Sequence, residues 1–184
     1  SFRKTVVGEA KVRLNGNRTD VRKRETNLSN LIADANLWRT QKYGTQVSLQ
    51  NGGGVRSSIE VGPITQGQII DVQPFGNTLY VIDLTGQEIW EALENGVAEW
   101  EAGAGRFLHV AGLKYTVDLA KPIGQRVTEV QVGSLSTTFT PIERKKTYKT
   151  VTNNFIASGG DGFSVLKNAK GYREDTYLPD YSVM

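Results

Sequence analysis

Hydrophobic and polar residues along this chain switch between two periods, and the switches mark out its elements. Residues 6–14 alternate weakly and run into Asn15-Gly16-Asn17, the pattern of a strand entering a turn. Behind Thr26-Asn27, which can cap a helix, Leu28, Leu31, Ile32, Ala35 and Trp38 recur at helical spacing, predicting a helix that runs to about Tyr43. Residues 46–50 form a short apolar-leaning run that predicts a strand delivering the chain into Asn51-Gly52-Gly53-Gly54. A short helix over 67–72 and the turn Gln73-Pro74-Phe75-Gly76-Asn77 precede a strand at 78–84. Thr85-Gly86-Gln87-Glu88 has the spacing of a capping box, and Ile89, Ala92, Leu93, Val97 and Trp100 then form one helical stripe. Strands are expected at 113–119, 127–132 and 146–152, joined by Gly/Pro turns, and a last helix begins over 163–167. Strands and helices mix without strict alternation. That predicts an α+β fold, a single domain of mixed sheet with packed helices over residues 1–184.

Composition narrows the function classes. A chain of 184 residues can bury a real core, and 38% hydrophobic with 22% charged residues is ordinary for a soluble domain. A net charge of +3 is too mild for a nucleic-acid stripe, so anion binding must come from a few well-placed arginines. Cysteine is absent, which removes disulfides and thiolate metal sites and fits either a cytosolic or an exported protein. No hydrophobic run is long enough to span a membrane. The chain opens Ser1-Phe2-Arg3-Lys4 without methionine or leader and stops at Ser182-Val183-Met184 without a helix end, so it is expected to be a domain excised from a longer protein.

Candidate chemistry concentrates in two glycine-rich segments far apart in sequence. Asn51-Gly52-Gly53-Gly54-Val55-Arg56 sets a guanidinium, suited to bidentate phosphate contact, beside backbone free to approach a ligand. Asn51 offers both a donor and an acceptor for a base edge. The second segment runs from Asn154 and Phe155 to Ser158-Gly159-Gly160-Asp161-Gly162-Phe163, placing a carboxylate six residues after an aromatic ring. A cation for phosphate, a carboxylate for ribose hydroxyls and aromatic faces for a base are what a nucleotide requires. Two rings, Phe75 and Phe155, facing one another across a slot would contribute roughly 1–3 kcal/mol per stacking contact. Taken singly, each segment is also an ordinary turn. Arg18, Arg22 and Arg24 precede the first long helix, and Arg18 and Arg22 converge only if the backbone between them turns helically.

Catalytic signals are sparse. The single histidine, His109, sits between apolar neighbours and is expected to be structural. The glycine segments lack the closing Gly-Lys-Ser/Thr of a phosphate-binding loop, and neither HExxH nor GxSxG occurs.

Four ordered motifs carry a resemblance. They are Arg22-x-x-x-Thr26-Asn27-Leu28-Ser29-Asn30-Leu31-Ile32-Ala33-Asp34-Ala35, Asn51–Arg56, Gln73–Asn77, and Asn154-Phe155-x-x-x-Gly159-Gly160-Asp161-Gly162-Phe163. Over essentially its whole length the chain resembles the C-terminal, substrate-binding domain of the 5′-nucleotidases and UDP-sugar hydrolases. The resemblance implies that Phe75 and Phe155 stack on a nucleobase, Asn51 touches its edge and Asp161 holds the ribose hydroxyls. Arg22 and Arg56, joined by Arg18, would face the ribose and phosphate, with Asn77 and the backbone at Gly53 and Gly105 completing the substrate site. It also implies a parent 5′-nucleotidase, a phosphoric ester hydrolase, whose N-terminal metallophosphoesterase domain holds two divalent metal ions and the catalytic residues. This chain would then carry no catalytic or metal-binding residue, need no cofactor of its own and be inactive alone. Its partners would be a nucleotide or nucleoside and that N-terminal domain, with no nucleic acid or membrane segment. The location would be extracellular, cell-surface or periplasmic. The alternative is a stand-alone nucleotide or nucleotide-sugar binding module without catalysis.

Overall fold

The computed structural model describes residues 1–184. In chain order its strands are β1 (Val6–Ala10), β2 (Val47–Asn51), β3 (Gly62–Thr65), β4 (Thr78–Thr85), β5 (Leu108–Ala111), β6 (Leu113–Val117), β7 (Val127–Val132), β8 (Thr140–Pro141), β9 (Thr147–Asn153) and β10 (Arg173–Pro179). The α-helices are α1 (Arg18–Val21), α2 (Asn27–Arg39), α3 (Gln66–Val72), α4 (Gly86–Val97), α5 (Asn154–Ala157) and α6 (Ser164–Asn168). Five strands make the central sheet in the order β10-β4-β9-β2-β5; β1 and β3 pair separately, as do β6, β7 and β8. The architecture is α+β with mixed sheets and packed helices.

All five residues of β2 are buried, as a strand covered on both faces requires. Val47 and Leu49 join the main core with Ile82 and Leu84 of β4, Ile89 and Leu93 of α4, and Phe163 and Leu166 beside the last helix. Helix α2 packs on β2 and β5. A second, smaller core collects Val21, Leu28, Ile32, Val55, Ile59 and Val72 beneath α1, α2 and α3. Thr85 and Glu88 form the expected capping box on α4, and Thr65 with Gln68 forms another on α3.

Strand directions decide where a site can form. β2 and β9 run parallel, pairing Val47 with Thr150 and Ser48 with Val151, so both release the chain at the same edge of the sheet. β4 is antiparallel to β9 and pairs Leu79 with Asn153; β5 is antiparallel to β2 and pairs Leu108 with Asn51. Four connections therefore meet at one edge: those leaving β2 and β9, and those entering β4 and β5. The carboxyl ends of parallel neighbours are where open sheets take ligands, because the loops there diverge and leave a crevice.

Several elements differ from the sequence reading. The first strand ends at Ala10, and Leu14 makes only an isolated bridge to Ile59. Helix α2 stops at Arg39, with residues 41–43 in a 3-10 turn closed by left-handed Gly44. Its buried face is Leu28, Ser29, Ile32, Ala33 and Asn36, while Leu31 and Trp38 face solvent. Close packing on a sheet accepts small and polar groups there, which a hydrophobic count overlooks. Trp100 lies beyond α4, in the turn after it, and its indole nitrogen donates to the Lys23 carbonyl at 2.9 Å. Strands β3, β5 and β10 had no sequence signal strong enough to place them. The polar edge strand β10 is half-buried almost throughout and follows neither a two-residue nor a helical period. With the 3-10 turn at Asp180–Ser182 it gives regular structure to a C-terminal stretch that carries no helix signal.

Candidate functional site at the sheet edge

Where the four connections meet, the molecule has a cavity of about 320 Å3 lined by Arg22, Asn51, Gly53, Gly54, Arg56, Phe75, Asn77, Gly105, Phe155 and Asp161. Every residue named from the sequence as a site candidate lines it except Arg18. That residue lies in an adjoining cavity of about 280 Å3 with Thr19, Lys23 and Gly103, and Arg22 borders both. A larger cavity of about 380 Å3 under Trp100, Phe107 and Tyr115 has a mainly apolar lining. The sheet-edge cavity brings two half-exposed phenylalanines together with one aspartate and two arginines.

The aromatic rings come from different elements. Phe75 follows α3 and stays 57% exposed, and Phe155 on α5 is 46% exposed. Neither joins a hydrophobic core, although large aromatics usually do. The Arg56 guanidinium lies 5.5 Å from the centre of the Phe75 ring. Phe155 lies flat enough on Gly160 that a Cβ there would sit 2.5 Å from the ring, so this glycine is what admits the aromatic.

The carboxylate is held by a relay of amides. Asn153, at the end of β9, accepts from the Ile156 backbone N–H at 3.1 Å and donates to Asn51 Oδ1 at 2.9 Å. Asn51, at the end of β2, in turn donates to Asp161 Oδ2 at 2.9 Å. A carboxylate only accepts, so it dictates which way each amide faces. Asn51, expected at a base edge, lines the cavity at 3% exposure and spends one amide hydrogen on orienting Asp161. Asp161 Oδ1 takes no hydrogen bond from the protein and is left for the cavity. The residue itself sits at φ +57°, one of two non-glycine residues in left-handed backbone.

The same cavity also carries cations, Arg22 and Arg56, with Arg18 in the adjoining one. α1 supplies the helical turn that brings Arg18 and Arg22 together, and its start is capped by the Asn17 side chain accepting from Thr19 N–H. Burial first, then the charges of Arg18 and Arg56, push the Arg22 guanidinium below its usual pKa, with Asp161 opposing them. Cations crowded without enough counter-charge create a local potential that attracts an anion. Arg22 also donates to the Gly103 carbonyl at 3.2 Å, and Gly53 N–H donates to the Gly105 carbonyl at 2.8 Å. A Cβ on Gly53 would lie 2.9 Å from the Gly105 Cα, so both glycines permit two backbones to touch here.

His109 is a structural tie. It is 2% exposed, and its Nε2 lies 2.6 Å from the Val21 carbonyl, which can only accept. Burial lowers its pKa, keeping the ring neutral with the proton on Nε2. The bond fixes the end of α1 and hence Arg22. No group of three or more His, Asp or Glu side chains is arranged to hold a metal ion. Four residues that support the site were not among the sequence's site candidates: Asn153, Gly160, Asn95, which bonds the Asp161 carbonyl, and Arg106, which bonds Asn95. Of these, only Gly160 stood inside a recognisable motif.

Comparison with known proteins shows the family of the chain. The family model for the 5′-nucleotidase C-terminal domain matches residues 6–168. The trifunctional nucleotide phosphoesterase protein YfkN of Bacillus subtilis is 46% identical over 178 residues, covering 96% of this chain and 12% of YfkN. A 5′-nucleotidase of Diplobatis ommata is 35% identical over 197 residues, covering all of this chain and 34% of that protein. The crystal structure of a 5′-nucleotidase precursor from Thermus thermophilus superposes with a TM-score of 0.96 at 55% identity, over 99% of this chain and 36% of that one. The chain thus spans about a third or less of the length of these relatives. It belongs to the 5′-nucleotidase C-terminal domain family.

Proposed function

We propose that this chain is the nucleotide-recognition domain of a metal-dependent 5′-nucleotidase that hydrolyses nucleotides to nucleosides and phosphate. The reading rests on one observation: two half-exposed aromatic rings, a carboxylate with a free oxygen, and two guanidinium groups line a single cavity. In this reading Phe75 and Phe155 stack on the base, and Asp161, oriented by Asn51, accepts from the ribose hydroxyls. Arg22 and Arg56 face the phosphate, with Arg18 extending the cationic side. Asn77 and the backbone at Gly53 and Gly105 shape the rim.

The donor set of this chain does not fit two divalent ions, since its one histidine is buried against Val21. In this reading the metals and the catalytic groups belong to an N-terminal metallophosphoesterase domain of a longer parent, as the greater length of the relatives supports. Base and ribose contacts are remote from the reacting phosphorus, so their binding energy serves to position it rather than to activate it. Relatives include a snake venom 5′-nucleotidase and the UshA protein of Escherichia coli, which supports an extracellular, cell-surface or periplasmic parent. No helix here is long and apolar enough to cross a membrane.

Calorimetry on the full-length protein with adenosine, AMP, UMP, UDP-glucose and 2′,3′-cyclic AMP tests the reading. At least one should bind, and Phe155→Ala should weaken every ligand that does. Wild type and variant equally indifferent to the whole panel would overturn it.

A further inference from the structure

We infer that Asn95 and Arg106 are positioning residues that set hydroxyl selectivity by clamping the backbone of Asp161. The inference rests on the reading of Asp161 as the hydroxyl acceptor. Neither residue lines the cavity. Asn95, near the end of α4, donates from Nδ2 to the Asp161 carbonyl at 3.1 Å. Arg106 donates to Asn95 Oδ1 at 3.1 Å and pairs with Glu99 at 3.5 Å. A guanidinium has no acceptor, so it forces the oxygen of Asn95 toward itself and the amide N–H2 toward Asp161. Arg106 also packs against Gly162, where a Cβ would lie 3.1 Å from the guanidinium and φ is +76°.

Asp161 and Gly162 are thus two consecutive left-handed residues held at the backbone, whereas Asn51 holds the Asp161 side chain. An aspartate keeps φ near +57° only where its surroundings over-determine it. Asn51 fixes the carboxylate and Asn95 fixes the peptide that carries it. Two anchors are needed because a carboxylate held at one oxygen can still swing with its backbone. Asn95 therefore acts on the ligand only through the direction in which Asp161 Oδ1 points.

The substitution Asn95→Asp separates positioning from simple structural support. It keeps the shape and strengthens the pairing with Arg106, but turns the donor facing the Asp161 carbonyl into a second acceptor. The full-length protein is titrated with adenosine and with 2′,3′-dideoxyadenosine, which lacks both hydroxyls. Loss of one anchoring hydrogen bond predicts roughly tenfold weaker adenosine binding in Asn95→Asp, with dideoxyadenosine within about twofold of wild type. Amide exchange at Asp161 and Gly162 should quicken in the same variant without any ligand. Arg106→Met, which frees the Asn95 amide to flip, should shift both readouts in the same direction by less, and serves if Asn95→Asp does not fold. Asp161→Gly is the reference. If it abolishes the preference for adenosine while Asn95→Asp and Arg106→Met preserve it, the clamp is wrong. If Asp161→Gly itself leaves the preference intact, the assignment of Asp161 fails, and the inference with it.

Discussion

The polar lining and the aromatic lining of the sheet-edge cavity are built in opposite ways. On one, a chain of amides holds Asp161 at two places: Asn51, backed by Asn153, bonds one carboxylate oxygen, and Asn95 bonds the backbone carbonyl. On the other, Phe75 and Phe155 project about half-exposed from short connections, outside either core. The difference follows from what each wall would recognise. A hydrogen bond weakens steeply with angle, so its acceptor must be held still. Stacking depends on area and tolerates sliding, so its rings need no such frame. On the proposed reading, such a site would be strict about the sugar and permissive about the base.

The sharpest way to break the contrast is Asp161→Gly. It removes the carboxylate yet relieves the left-handed strain, so the melting temperature should stay close to wild type. Charge-assisted hydrogen bonds contribute about 1.5–3 kcal/mol each, so losing the ribose contacts should weaken AMP on the order of 100-fold. Unchanged AMP affinity by calorimetry would remove the rigid wall from the account of binding.

Replacing either ring should cost less. Phe75→Ala and Phe155→Ala are each expected to weaken nucleotides by about 1–3 kcal/mol, by similar factors for purines and pyrimidines. Thermal stability should change little, because both rings are about half in water and join neither core. A loss confined to one base would mean that the aromatic wall reads edges as well as faces. Gly160→Ala reaches the same wall indirectly. Its methyl group would meet the Phe155 ring at 2.5 Å and push it aside, so part of the Phe155→Ala loss should appear with the ring still present. Full AMP affinity in this variant would show that the ring can re-seat.

How much of this was legible in the sequence depends on what each residue does. Phe75, Phe155, Asp161 and Arg56 stood in or beside Gly-rich motifs, where backbone constraint leaves a visible trace. Their meeting follows from β2 and β9 being parallel neighbours, a pairing of segments about a hundred residues apart that no local period encodes. Asn95 and Arg106 had no trace. Each is one polar residue among many, and its role exists only once α4 and the chain entering β5 lie beside Gly160–Gly162. The same limit explains Asn51: its type suits a base edge, but the direction of its amide is set by a carboxylate 110 positions away.

A second aspartate sharpens the comparison from outside the cavity. Asp180, in the 3-10 turn after β10, is 5% exposed and accepts from the Tyr181 backbone N–H at 2.7 Å; its own N–H donates to the Asn77 carbonyl at the cavity rim. No cation pairs with it. Burial pushes its pKa up to about 6, with the nearby backbone N–H groups opposing the shift. The folded state therefore keeps a proton that the unfolded chain releases near pH 4. Stability from this group is present below about pH 4 and is lost as pH rises toward 6, the reverse of a paired carboxylate. Allowing for water near the carboxylate, the loss is about 1–2 kcal/mol at neutral pH. Asp180→Asn keeps an acceptor for Tyr181 and cannot ionise, so it should raise the melting temperature at pH 7.5 by a few degrees and add nothing at pH 4. Thermal melts of variant and wild type that stay parallel from pH 4 to 8 would show that this buried carboxylate does not hold its proton in the folded state.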